Sequence, residues 1–210
     1  MPTSPNARSV RIGDDERSGW SSDRPRREGA PRPVDVSTRC RILAPSDTLR
    51  YSPGSLVVVT SPSPEERDRF LARVLESQSV VLSPAKVRAL LEGRVDPEQA
   101  EARGGELLAA AAAKRLEAGD SVVLAPDGLA PEEREPLVRL AHRLRRPRHV
   151  ILLEAPRDQV AEEDRATLND LRRRLDAGDL GAEGFQTALR LGGATIGEVK
   201  RLFFRPPPED

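Results

Sequence analysis

Residues 56–71 read Leu-Val-Val-Val-Thr-Ser-Pro-Ser-Pro-Glu-Glu-Arg-Asp-Arg-Phe-Leu. An apolar, β-branched run (Leu56 to Val59) passes through a turn into a helix-like stretch. This is the strand–loop–helix layout of a phosphate-binding loop, whose pattern is G-x-x-x-x-G-K-[ST]. Laid on without gaps, that pattern puts Ser61 and Glu66 in the two glycine slots, Arg67 in the lysine slot and Asp68 in the hydroxyl slot. The layout is kept; the residues that hold phosphate are not.

A phosphate cradle needs a curled backbone, a nest of amide N–H groups and a cation. Pro62 and Pro64 have no N–H to offer. Glu65, Glu66 and Asp68 place carboxylates where phosphate oxygens would sit. Each such like-charge contact costs about 1 kcal/mol even when well hydrated. Arg67 would offset one of the three. Asp68 would ligate a metal, with no phosphate beside it to share the ion. The same residues make a good helix start. Ser63 suits the N-cap, Pro64 the first turn, and Glu65 and Glu66 the positive end of the dipole. Ser63 and Glu66 also have the spacing of a capping box. The expectation is a capped helix in place of a phosphate site.

At 210 residues the chain supports one domain and a tail. The formal net charge is zero, so bulk electrostatics name no partner. Aromatic residues make up 3% of the chain, which argues against a base-stacking platform. A single cysteine, Cys40, rules out an internal disulfide and a cysteine-rich metal site. The histidines, His142 and His149, are too few for a histidine metal centre and are expected to be surface or satisfied residues. Neither a secretory leader nor a long apolar run is present, so the expected setting is cytoplasmic, away from membranes.

Residues 1–33 are rich in Pro, Ser, Arg and Asp, with Trp20 their one aromatic. Such a segment buries too little to offset its chain entropy and is expected to be a disordered tail. Residues 34–55 form a lead-in in which Val34, Val36, Ile42 and Leu43 would add an edge strand. From 56 to 160 the chain alternates. Strands are expected at 56–60, 79–82, 121–125 and 150–154, with a final one at 201–205. Helices are expected at 64–77, 84–92, 97–118, 131–145 and 156–177. This alternation predicts an α/β fold, a three-layer parallel sheet of about five strands. Residues 161–200 read as a charged helical extension, with short helices at 186–191 and 195–200 around Gly192-Gly193, and 206–210 as a terminal tail. Phe203 and Phe204 are expected to face the core more readily than solvent.

Several segments resemble the kinase domain of bacterial polynucleotide kinase-phosphatases, a branch of the P-loop kinases. Leu56 to Ser63 is similar to that family's L-V-V-L-V-G-P-S with its first glycine gone. Val81-Leu-Ser-Pro-Ala-Lys-Val-Arg-Ala-Leu90 is similar to V-L-S-S-D-x-x-R-A-L. Ala112 to Gly119, Val122-Val123 and Ala130 to Ala141 resemble the helix, strand and helix that follow. The likeness spans about half the chain and implies a P-loop-kinase-like core at 56–160. It also implies what is missing. Ala85 stands in the slot of the catalytic base, and Leu124 in the slot of the third-strand aspartate. The arginine lid expected after Pro156 is not recognisable in its spacing, so 161–200 would be a degenerate lid.

The expected function is an inactive, P-loop-kinase-like pseudoenzyme that binds or regulates an unknown protein or nucleic-acid partner, with no cofactor and no metal. One alternative is a divergent nucleotide or polynucleotide kinase using ATP and Mg²⁺, with Arg67 in place of the lysine. Another is a nucleic-acid-binding module using the basic residues Arg143, Arg145, Arg146, Arg148, Arg172, Arg173 and Arg174. The sequence does not name an oligomeric state.

Overall fold

The structure is a computed structural model that describes residues 34–205; the tails expected at 1–33 and 206–210 lie outside the described residues. Eight strands are described: β1 (Arg41–Leu43), β2 (Thr48–Tyr51), β3 (Leu56–Thr60), β4 (Val81–Leu82), β5 (Val122–Leu124), β6 (Arg148–Leu153), β7 (Thr187–Leu191) and β8 (Arg201–Phe204). Six of them form one sheet in the order β1-β7-β6-β3-β5-β4. Every pairing in it is parallel. The helices are α1 (Pro64–Val74), α2 (Pro84–Leu91), α3 (Pro97–Ala118), α4 (Glu135–Arg143), α5 (Asp164–Ala177) and α6 (Ala194–Glu198).

Strand alternation builds two cores. Leu56, Val58, Val122, Leu124, Val150 and Leu152 face one side, against Leu108, Ala112 and Leu116 of α3, Leu137, Val138 and Ala141 of α4, and Leu168, Leu171 and Leu175 of α5. Val57, Val59, Val123, Ile151, Leu153 and Leu189 face the other, against Phe70, Leu71 and Val74 of α1 and against Leu49, Tyr51 and Leu202. The last three belong to a separate two-stranded parallel sheet of β2 and β8. The α/β expectation with a covered parallel sheet holds, with six strands in place of about five.

Two expectations need correction. The strand at 201–204 does not join the central sheet; it pairs with β2 on the outer layer. A strand of the central sheet is instead β7, at residues expected to be helical, so 161–200 is more than a helical extension. Ala188, Leu189, Arg190 and Leu191 are good helix formers, and pairing with β6 and β1 overrode that propensity. The expected helices at 131–145 and 156–177 each begin with a short 3₁₀ turn, at Pro131–Glu133 and Arg157–Gln159, before α4 and α5 proper.

Because the sheet is wholly parallel, its carboxyl ends share one rim. The chain leaves β3 for β4 and β5 on one side and for β6 and β7 on the other. The turn after β3 therefore lies at the switch point where ligands of open α/β sheets bind.

Candidate functional site

At that switch point the turn is closed. Only Ser61, Pro62 and Ser63 separate the end of β3 from Pro64, the first residue of α1. Ser63 is an extended N-cap residue whose Oγ accepts from the Glu66 N–H at 3.4 Å. The Ser63 N–H donates to Ser61 Oγ at 3.1 Å. Half of the expected capping box is therefore present, since Ser61 takes the amide that Glu66 would have taken. The Arg67 N–H already makes an intrahelical bond to the Ser63 carbonyl at 3.1 Å. Glu65, Glu66, Arg67 and Asp68, four of the eight pattern positions, are thus wound into the helix, and Pro64 begins it.

Arg67 is 1% exposed. Its Nη1 donates to the Pro126 carbonyl in the loop leaving β5. Its Nε and Nη2 reach Asp68 Oδ1 at 2.9 and 2.8 Å. A buried guanidinium needs such partners. Thr60 Oγ1 donates to the Gly128 carbonyl at 3.0 Å, and the Gly128 N–H donates to Glu133 Oε2 at 2.7 Å. The exits of β3 and β5 are laced together by the protein's own groups.

The positions expected for a base and a third-strand carboxylate, Ala85 and Leu124, carry no polar side-chain group. Ala85 is exposed in the first turn of α2, and Leu124 is fully buried at the end of β5. Beside them Arg88 pairs with Asp127 at 2.6 Å, on the wall of a cleft of about 550 Å³ also lined by Glu101, Glu132 and Glu133.

Across the rim, Glu154 follows β6 and accepts from Arg172 of α5 and Arg190 of β7. Burial alone would raise its carboxyl pKa; the hydrogen bonds and charges of the two arginines overcome that and hold it below the usual glutamate range. Hydrogen bonding to Glu154 raises Arg172 in turn. A smaller cavity of about 320 Å³ lies among Arg157, Arg165, Asn169 and Arg172. Nothing in the sequence marked Glu154 beyond a carboxylate directly after an apolar strand.

The seven arginines of the expected basic patch do not meet on one surface. Arg148 is buried at the start of β6 and donates to the Gly184 carbonyl at 2.6 Å. Arg146 reaches the Glu117 carbonyl at 3.3 Å. Arg172, Arg173 and Arg174 pair with Glu154, Asp170 and Glu183. Arg143 and Arg145 are exposed. Arg148 begins β6 and Glu154, the partner of Arg172, follows its end, about 20 Å away at the rise of a strand. His149 also departs from expectation. It is buried, and its Nε2 has no partner among the described residues.

Among the described residues, no group of three or more His, Cys, Asp or Glu side chains is placed to hold a metal ion, and no helix is long and apolar enough to cross a membrane.

No family model and no curated protein matches the chain. Among solved structures, a protein from Chloroflexus aurantiacus J-10-fl described as a "putative kinase" is similar over 70% of this chain and 88% of its own length. The identity is 14% and the TM-score 0.41, too low for that neighbour to inform the chemistry here.

Proposed function

We propose that this chain is a catalytically inactive, P-loop-kinase-like pseudoenzyme that works as a binding or regulatory protein. The observation that carries the reading is the position of Arg67. In the lysine slot, it is buried and spent on the Pro126 carbonyl and Asp68. Phosphoryl transfer depends almost wholly on positioning and charge neutralisation. Here the cation faces inward, the Ser63 and Glu66 amides are taken by serine hydroxyls, and Ala85 and Leu124 carry no group that would activate an acceptor or hold a metal.

A divergent phosphotransferase is the second reading, favoured by the cavity among Arg157, Arg165 and Arg172 on the same rim. One experiment separates the two. A ligand that binds only the native state raises its melting temperature by mass action. Melting is followed with and without Mg-ATP, alongside incubation with labelled ATP and a 5′-hydroxyl oligonucleotide. The pseudoenzyme gives no shift and no labelled product; a clear shift with product transfers the assignment to the phosphotransferase.

A further inference from the structure

The two-stranded sheet carries a surface that neither reading of the rim uses. Its register sets Thr48 opposite Arg201, Leu49 opposite Leu202, Arg50 opposite Phe203 and Tyr51 opposite Phe204. Leu49, Tyr51 and Leu202 are buried against the central sheet. Alternation therefore turns Thr48, Arg50, Arg201 and Phe203 to the outer face. Arg205 follows directly. The Cζ atoms of Arg50 and Arg205 each lie 5.3 Å from the Phe203 ring centroid, within cation–π range.

Elsewhere, arginines such as Arg67, Arg88, Arg134 and Arg172 are matched to carboxylates. Among the described residues, Arg50, Arg201, Arg205 and the neighbouring exposed Lys200 enter no ion pair. Of the nearby acidic residues, Asp47 and Glu198 precede the two strands, exposed Glu76 follows Leu75, which bridges to Leu202, and Glu209 and Asp210 follow Arg205 in the sequence, outside the described residues.

We propose that the outer face of β2 and β8 binds single-stranded nucleic acid, with a base stacked on the Phe203–guanidinium cluster and flanking phosphates at Arg50, Arg201 and Arg205. Four cations that enter no ion pair among the described residues favour a polyanion, and the planar ring and guanidinium groups favour one with bases. The low aromatic content of the chain argues against an extended stacking platform, but one half-buried ring with two guanidinium groups 5.3 Å from its centroid serves one base. Four strand residues span about 13 Å, room for about three nucleotides. The face carries little that would read base edges, so binding is sequence-tolerant. Binding on this face does not depend on the state of the turn after β3.

The test is fluorescence anisotropy of the full chain with a labelled 12-nucleotide oligo(dT). Three neutralised phosphates give a salt slope near −2, so raising salt from 50 to 200 mM weakens binding roughly 20-fold. Phe203→Ala weakens it about tenfold, while inorganic polyphosphate binding is unchanged by that variant. Arg50→Glu with Arg205→Glu abolishes both, and Arg143→Glu with Arg145→Glu changes neither. Phe203 is half-buried, so the melting of Phe203→Ala is measured in parallel; if that variant does not fold, Phe203→Tyr, expected to bind like the native chain, and the exposed arginine pair decide. The proposal is overturned by absence of binding at 50 mM salt, by polyphosphate binding as tightly as oligo(dT), or by loss of binding on changing Arg143 and Arg145 while the Arg50 and Arg205 variant still binds.

Discussion

The guanidinium of Arg67 donates to the carbonyl oxygen of Pro126, 59 residues further along the chain. This bond joins the first turn of α1 to the loop leaving β5, across the place where an open α/β sheet would admit a ligand. The Arg67 side chain serves as a structural strut.

Removing the strut should therefore cost stability. Arg67→Ala leaves a buried carbonyl without its donor, a loss of about 1–3 kcal/mol. Arg67→Lys keeps the charge but not the fork, so it should lose less than the alanine variant and more than nothing. Urea denaturation of the three proteins measures this. Equal midpoints would show that the guanidinium contributes no net support.

A second tie holds the sheet edge. A Cβ built on Gly181 would lie 2.0 Å from the Thr38 carbonyl oxygen and 3.1 Å from the Cys40 N. The Thr38 N–H donates to the Gly181 carbonyl at 2.9 Å, and this segment leads into β1. Gly181→Ala must push residues 38–40 outward, costing about 1–3 kcal/mol. Amide exchange at Ile42 and Leu43 should quicken while exchange in β3 is unchanged. Protection retained at both would show that the backbone relaxes without losing the edge strand.

These ties also show what the sequence makes legible. β3, β5 and β6 are short apolar runs between turn signals, and their fully buried positions follow from that pattern. Ser63 and Pro64 announce the start of α1 by local chemistry alone. Where long-range pairing decides, local reading fails. Thr187–Leu191 has helical propensity and becomes a strand because β6 and β1 flank it. Thr48–Tyr51 alternates over four residues only, too few to stand out beside Pro45 and Pro53. For the site, the departure of residues 61, 66 and 67 from a phosphate-loop pattern is readable in the sequence. The destination of the Arg67 side chain and the convergence of Arg172 and Arg190 on Glu154 are not, because they join segments 18 to 59 residues apart.

Glu154 should act as an acid-sensitive clasp. Its folded pKa is depressed, so its contribution is present above the unfolded glutamate pKa and lost as pH falls through the folded one. Glu154→Gln should cost about 2 kcal/mol at neutral pH, because Arg172 and Arg190 lose a charged acceptor. The difference from the native chain should close as the solution is acidified through the depressed pKa. Denaturant midpoints at neutral and acidic pH test both statements, and a gap that persists in acid would contradict the second.

His149 should impose a separate pH dependence at higher pH. Its Nδ1 lies 2.8 Å from Thr187 Oγ1, its ring centroid is 4.6 Å from that of Tyr51, and its Nε2 is buried with no partner among the described residues. Burial first, and the charge of Arg148 second, push its pKa down from 6.5 to about 4. The sign follows from proton counting. Between these two values the unfolded chain takes up a proton that the folded chain refuses, so stability is full above the unfolded pKa and falls as pH drops toward the folded one. The loss from this residue should be about 2 kcal/mol between about pH 7 and about pH 5. His149→Gln keeps a polar side chain and removes the titration. The native chain should therefore lose about 2 kcal/mol more than the variant over that interval, read from urea midpoints at each pH. Parallel pH profiles would mean that the folded state accommodates the imidazolium, and that Nε2 reaches solvent when it is charged.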